Sequence, residues 1–352
     1  MTGTRDLLFI CGDLCNLGDL ALLLQNLEIA RDQGRRAWVR RWAPLPAEIE
    51  EQVSEAAGRI VDGRDLPRFL SLASRCDMVI GGGQLVRENV STRSLLFLAM
   101  GVTACKLRGG RVATRGLGVS AVRSRKLRLL WRQVLGRAGD IRVRDEASAV
   151  NAARIVPGAK VLQTADMAFY PSRLHGHESR AAAASPSILI APCIDGSEER
   201  SIDGAALPRL LEAARTRFPD AELVFACHDP RPGMDAKASD LLIEGHGLRA
   251  RKSAGNRLDV LLEEYGRAGI VITNRLHSVI FSLLSKRPVL VVDDGSRKIA
   301  AVATAFRIPT IGRGDESGAE EAVATALDFD RDVRAAALDD MSARAKRNLS
   351  SD

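Results

Sequence analysis

The sequence predicts an α/β fold, two Rossmann-like domains facing a cleft, and three observations carry that prediction. Short aliphatic runs alternate with helical segments from the first residues onward. Aromatic residues make up 4% of the 352 residues and hydrophobic ones 46%, dominated by Ala, Leu, Val and Ile, as suits helices packed on largely parallel sheets. The polar, alanine-rich stretch from Pro171 to Pro186 then breaks the alternation and reads as an interdomain linker. About two domains of ordinary size are expected at this length. They are residues 1–175 and 186–315, followed by C-terminal helices over 316–352.

Taken in order, Leu7–Cys11 reads as a strand and the segment from about Gly18 to Gln33 as a helix, giving a first βα unit. Further strands are expected at Ala37–Val39, Asp77–Ile80, Arg111–Thr114 and Asp140–Val143, with helices filling the intervals. After the linker a second series begins, with strands at Ile188–Ala191, Glu222–Phe225, Gly269–Ile272 and Pro288–Val292. From about Glu316 alternating charge and alanine predicts helices to the end.

Composition excludes several function classes. No apolar run reaches the roughly 18 residues that span a bilayer, and Met1–Asp6 leads straight into a strand, so neither a transmembrane helix nor a signal peptide is expected. Cys11, Cys15, Cys76, Cys105, Cys193 and Cys227 lack paired CxxC spacing, which fits structural roles in a reduced cytoplasm. The five histidines have no metal-ligand spacing, His175 and His177 lying in the polar linker, so no metal is expected. Net charge is +7, carried by Arg-rich helices such as Arg123–Arg128 without aromatic interleaving, which argues against nucleic acid. A basic exterior suits a polyanionic substrate or the anionic inner face of a membrane, but ordinary solvated helix faces account for it more readily.

The chemistry concentrates at strand ends. In Thr273–Ser278 a strand passes into an apolar helix, and Arg275 and His277 sit at that junction. Arginine offers a planar fork for phosphate or carboxylate, and histidine titrates near neutrality and can donate a proton. The alternative is that Arg275 pairs with a carboxylate and His277 caps its helix. Gly12–Asp19, after the first strand, is a ligand-loop candidate that lacks the GxGxxG fingerprint, with Asp19 either a cap or a polar contact to a sugar hydroxyl. Gly81, Gly82 and Gly83 follow the strand Asp77–Ile80, as a loop that wraps a ligand or as a tight turn. Arg144, Asp166 and Lys298 each follow an apolar segment.

In combination, Asn16-Leu17-Gly18-Asp19, the triple glycine, Val143-Arg144-Asp145 with Ser148, Asp166 with Phe169, Arg275-Leu276-His277 and Lys298-Ile299 resemble the polysaccharide pyruvyl transferase family, in the right order over residues 7 to 305. Gln84, Ser278 and the acidic Asp293-Asp294 depart from the family pattern. The resemblance implies a GT-B-like fold and transfer of pyruvate from phosphoenolpyruvate to a sugar or lipid-linked oligosaccharide as a ketal. It implies no cofactor. Residues 1–175 would take the acceptor and 186–315 the donor. Its implied site has His277 as acid, Asp19 or Asp13 as base, and Arg275, Arg144, Asn16, Gly18, Gly81, Gly82, Gly83, Asp166 and Lys298 as binding residues. Independently of the resemblance, the cysteines lead us to expect a cytoplasmic protein, and the basic surface a lipid-linked acceptor met at the cytoplasmic face of the inner membrane. Two other readings use the same scaffold: a glycosyltransferase taking a nucleotide sugar, and a noncatalytic sugar- or anion-binding protein.

Overall fold

The computed structural model describes residues 4–172, 186–194, 202, 206–253, 255–293, 295–312, 314–328 and 330–349. His175, His177, Asp294 and most of the expected linker lie outside these residues. The chain divides into two compact units, one formed by residues 1–15, 19–170 and 341–352, the other by 16–18 and 171–340.

In the first unit the order is β1 (Leu7–Ile10), α1 (Leu17–Asp32), β2 (Ala37–Arg41), α2 (Ala47–Glu55), β3 (Gly58–Asp62), α3 (Leu66–Arg75), β4 (Asp77–Gly81), α4 (Thr92–Leu107), β5 (Val112–Arg115), α5 (Arg125–Leu135), β6 (Ile141–Val143), α6 (Glu146–Ile155) and β7 (Val161–Gln163). A 3-10 turn at Met167–Phe169 closes it. The main sheet is parallel with order β3-β2-β1-β4-β5, and β6 pairs with β7 beside it. All four residues of β1 are buried, which is why that strand reads as an unbroken apolar run. A core from Leu8 and Ile80 to Trp131 and Val143 fills the space between sheet and helices. The C-terminal residues belong here too. Asn348 accepts from the Gly116 amide (2.7 Å) and donates to the Ala165 carbonyl (3.0 Å).

The second unit runs β8 (Ser187–Ala191), α7 (Ala206–Arg217), β9 (Glu222–Phe225), α8 (Asp235–Gly245), β10 (Arg251–Lys252), α9 (Leu258–Arg267), β11 (Ala268–Thr273), α10 (Leu276–Leu284), β12 (Val289–Val292), α11 (Arg297–Ala305), β13 (Thr310–Ile311), α12 (Ala319–Leu327) and α13 (Arg331–Lys346). Its parallel sheet has the order β10-β9-β8-β11-β12-β13. Strand order therefore reverses between β1 and β4 in one unit and between β8 and β11 in the other. In open α/β sheets ligands bind outside the carboxyl ends of strands at such reversals.

Four strands were not expected. β3 falls in an interval read as helical, because only Ile60 and Val61 separate Gly58-Arg59 from Asp62, too short a run for alternation to register. β7 has only three residues, none of them buried, while β10 and β13 are two-residue edge strands.

Candidate functional site

In the first unit, the loops after β1 and β4 meet around Asp19. Its Oδ2 accepts the Asp13 amide (2.9 Å), and the Gly12 amide donates to the Gly82 carbonyl (3.0 Å). A Cβ on Gly12 would lie 2.1 Å from Asp19 Oδ2, and one on Gly83 2.2 Å from Oδ1, so the carboxylate fills the space both glycines leave. Gly83 also has φ +94°, a conformation that side chains disfavour. Burial pushes the Asp19 carboxyl up to about 7; the Asp13 amide and the Arg144 charge oppose this, and the charges of Asp13 and Asp166 add to it. A group poised there can hold or release a proton near neutral pH. Asp19 therefore binds a neighbouring loop through its side chain, in place of the helix-capping alternative.

Arg144, at the end of β6, is nearly buried. It donates to Asp166 Oδ2 (3.1 Å), Gln84 Oε1 (2.9 Å) and Asp145 Oδ2 (3.3 Å). Gln84, a departure from the family pattern, holds both this guanidinium and the Ser120 hydroxyl. Asp166 additionally accepts the Ala168 amide (3.0 Å), capping the 3-10 turn. Ser148 accepts the Val119 amide (3.0 Å) and is itself fixed by Asp145. Asp19, Gly81, Gly82, Gly83, Arg144 and Asp166 thus form one polar group at strand ends of this unit.

In the second unit a separate group forms around Arg275. The side chain is 6% exposed and its Nη2 donates to both oxygens of Asp235, which is fully buried at the start of α8. The Asp235 charge holds the guanidinium protonated against the opposing effect of burial. Nη1 reaches Asn16 Oδ1 (3.3 Å), which also accepts the Gly18 amide (3.0 Å), and Nε has no hydrogen-bond partner among the described residues. The carboxylate-pairing alternative for Arg275 is therefore realised in its geometry. Sequence reasoning missed Asp235.

His277, on the first turn of α10, is 7% exposed and stacks on Phe281 at 6.2 Å between ring centroids. A Cβ on Gly18 would lie 2.1 Å from its Nδ1, so only glycine permits the imidazole to close on that backbone. Arg275 stands at the N-cap of this helix and makes no side-chain cap bond. Phe281 also stacks on His228 (5.6 Å, 10° between planes), and His228 Nε2 shares a 2.6 Å hydrogen bond with the Tyr265 hydroxyl. Burial pulls the His228 imidazole well below its usual range, and the Arg275 and His277 charges reinforce this. His228 is therefore neutral. Its place after β9, at a strand's carboxyl end, was a legible signal that went unused. Asn274 braces the loop, accepting the Cys193 amide (2.7 Å) and donating to its carbonyl (3.2 Å). Lys298 is half-buried in the first turn of α11, the helix packed on α10. Among the described residues no cluster of His, Cys, Asp and Glu could hold a metal ion, and all six cysteines are free.

Among solved structures, the chain resembles a UDP-GlcNAc 2-epimerase from Neisseria meningitidis bound to UDP-GlcNAc, at TM-score 0.58 and 14% identity over 97% of this chain and 98% of that one. A glycosyltransferase from Rickettsia africae gives TM-score 0.58 at 11% identity, covering 99% and 95% of the two chains. An O-GlcNAc transferase mutant from Thermobaculum terrenum gives TM-score 0.50 at 12% identity; this chain is covered over 99% but spans only 64% of that protein. At such identities the likeness shows the fold alone, α/β with two Rossmann-like units of the GT-B kind. No curated protein matches the sequence. A family model described as polysaccharide pyruvyl transferase matches residues 16–296, from the Asn16 that accepts from Arg275 to the start of α11. The chain belongs to the polysaccharide pyruvyl transferase family.

Proposed function

We propose that this protein transfers the pyruvyl group of phosphoenolpyruvate to two hydroxyls of a sugar, forming a cyclic ketal and releasing inorganic phosphate. The observation that carries the reading is the pairing, at the end of β11, of a permanently charged guanidinium with an imidazole held against Gly18, in a chain of this family.

The reaction needs one proton delivered to carbon and two removed from hydroxyls. Protonation of the methylene carbon of phosphoenolpyruvate by His277 leaves a cation at the adjacent carbon, stabilised by its oxygen substituent. The first sugar hydroxyl attacks there and loses its proton to a base. Phosphate then departs with the bridging oxygen, regenerating the cation. The second hydroxyl closes the ring, and its proton leaves with the phosphate. Arg275 supplies fixed positive charge toward the donor's anionic groups, and Asp235 and Asn16 hold its fork in one orientation. Asp19, with its carboxyl near 7, is the proton acceptor of suitable strength. The acceptor is a sugar of a cell-surface or exported polysaccharide, free or lipid-linked, and the scheme calls for no metal or cofactor.

Incubation with phosphoenolpyruvate and a panel of sugars tests this directly, by following phosphate and a new ketal methyl signal by NMR. His277→Ala should lower turnover by about 100-fold or more while phosphoenolpyruvate still binds. Unchanged turnover in that variant would remove His277 from the proton-donor role.

A further inference from the structure

We propose that α3, α4 and α5 of the first unit form a docking face for an anionic membrane surface. Helix α4 carries no charge between Arg93 and Lys106 and is apolar all round. Such a helix is ordinarily covered on every side. Leu95, Leu98, Ala99, Val102 and Cys105 face the core, yet Leu96, Met100 and Leu107, spaced along the opposite face, are 45%, 39% and 81% exposed. Leu129 on the neighbouring α5 is 59% exposed. Of the six large hydrophobics exposed among the described residues, these two packed helices hold four.

The helices that carry and flank that stripe are basic along their length. α3 contributes Arg68 and Arg75, α4 Arg93 and Lys106, and α5 Arg125, Lys126, Arg128 and Arg132, all exposed, and none of the three helices contains Asp or Glu. The three adjacent helices thus carry eight exposed cations, with Asp65 at the N-cap of α3 and Glu88 beside the start of α5 as the acids next to them. The first turns of α4 also line a cavity of about 160 Å³ that contains Arg40, Trp42 and Arg64. Arg40 is 1% exposed, stacks 4.1 Å from the Trp42 ring, and has no hydrogen-bond partner at Nε or Nη1 among the described residues. A buried cation so placed favours an anionic group beside it.

Apolar side chains framed by cations fit the boundary between headgroups and acyl chains of an anionic bilayer, with the helices lying on the surface. Among the described residues no helix is long and apolar enough to cross a membrane. A second copy is a poor occupant, because it would bring the same cations face to face. The face is independent of the pyruvyl transfer reading, since none of the residues assigned to that chemistry lies on it.

Flotation of the purified full chain with vesicles tests the proposal, using phosphatidylcholine alone or with about one third phosphatidylglycerol. The chain should float with the anionic vesicles, not with the neutral ones, and less at high salt. Leu107→Glu, and separately Arg93→Glu with Arg128→Glu, should each cut the bound fraction about tenfold or more, with the unfolding midpoint unchanged. Absence of flotation, equal flotation with neutral vesicles, or full binding by both variants would overturn it. So would a wild-type dimer, seen by light scattering, that Leu107→Glu dissolves.

Discussion

Asp19 and Arg275 show how burial turns ordinary side chains into specific chemistry. Asp19 has its carboxyl raised from 3.8 to about 7, so the folded state holds its proton more tightly than the unfolded chain does. Between those pH values the folded protein binds more protons, and stability from this group falls as pH rises, by roughly 4 kcal/mol in all. Asp19→Asn should therefore stabilise the protein above pH 7, flatten that slope in denaturant titrations, and abolish turnover. A slope that persists in the variant would assign it to other groups. Arg275 presents the opposite case. Its charge is balanced by Asp235, and Asp235→Ala would leave a buried guanidinium without a counter-charge. A loss of about 3 to 5 kcal/mol in urea unfolding is expected. A loss below about 1 kcal/mol would show that solvent reaches Arg275 and compensates it.

Element by element, each functional side chain is set by a strand end and the turn that follows. The triple glycine illustrates the division of labour. Gly81 ends β4 with the Arg115 carbonyl 2.1 Å from where a Cβ would stand, and Gly83 pairs positive φ with a carboxylate in its Cβ space. Gly83→Ala should cost about 1 to 3 kcal/mol and displace Asp19, read as a lowered thermal midpoint together with lost turnover. An unchanged midpoint would mean that the loop relaxes freely. Gly18→Ala should instead spare most of the stability and lower turnover, because the displaced atom is the His277 ring. The strands flanking these turns were legible as unbroken aliphatic runs, since parallel strands covered on both faces need no polar residues. Those missed were short or marginal: β3 has two apolar residues between charged ends, and β10 pairs only at the sheet edge. Arg275 and His277 were legible because they follow such a run directly. Asp235 and Tyr265 were not, since their contacts with Arg275 and His228 join distant segments, 40 and 37 residues apart in sequence.

At the scale of the whole molecule, strand order reverses in both main sheets; Asp19 and the triple glycine follow strands of one, Arg275 and His277 a strand of the other, while Arg144 and Asp166 follow the separate β6–β7 pair. The fold is shared with proteins that act on nucleotide sugars, so architecture does not select the donor. The proposal of phosphoenolpyruvate as donor rests instead on family membership and on the Arg275–Asp235–Asn16 group. Arg275→Lys is the informative substitution, because it keeps a charge beside Asp235 while removing the planar fork. The most direct measurement is calorimetric titration of the purified protein with phosphoenolpyruvate, beside uridine and guanosine diphosphate sugars, in the wild type and Arg275→Lys. The account predicts saturable phosphoenolpyruvate binding that weakens about tenfold or more in the variant, and no comparable response to the nucleotide sugars. Binding of a nucleotide sugar with no response to phosphoenolpyruvate would contradict it.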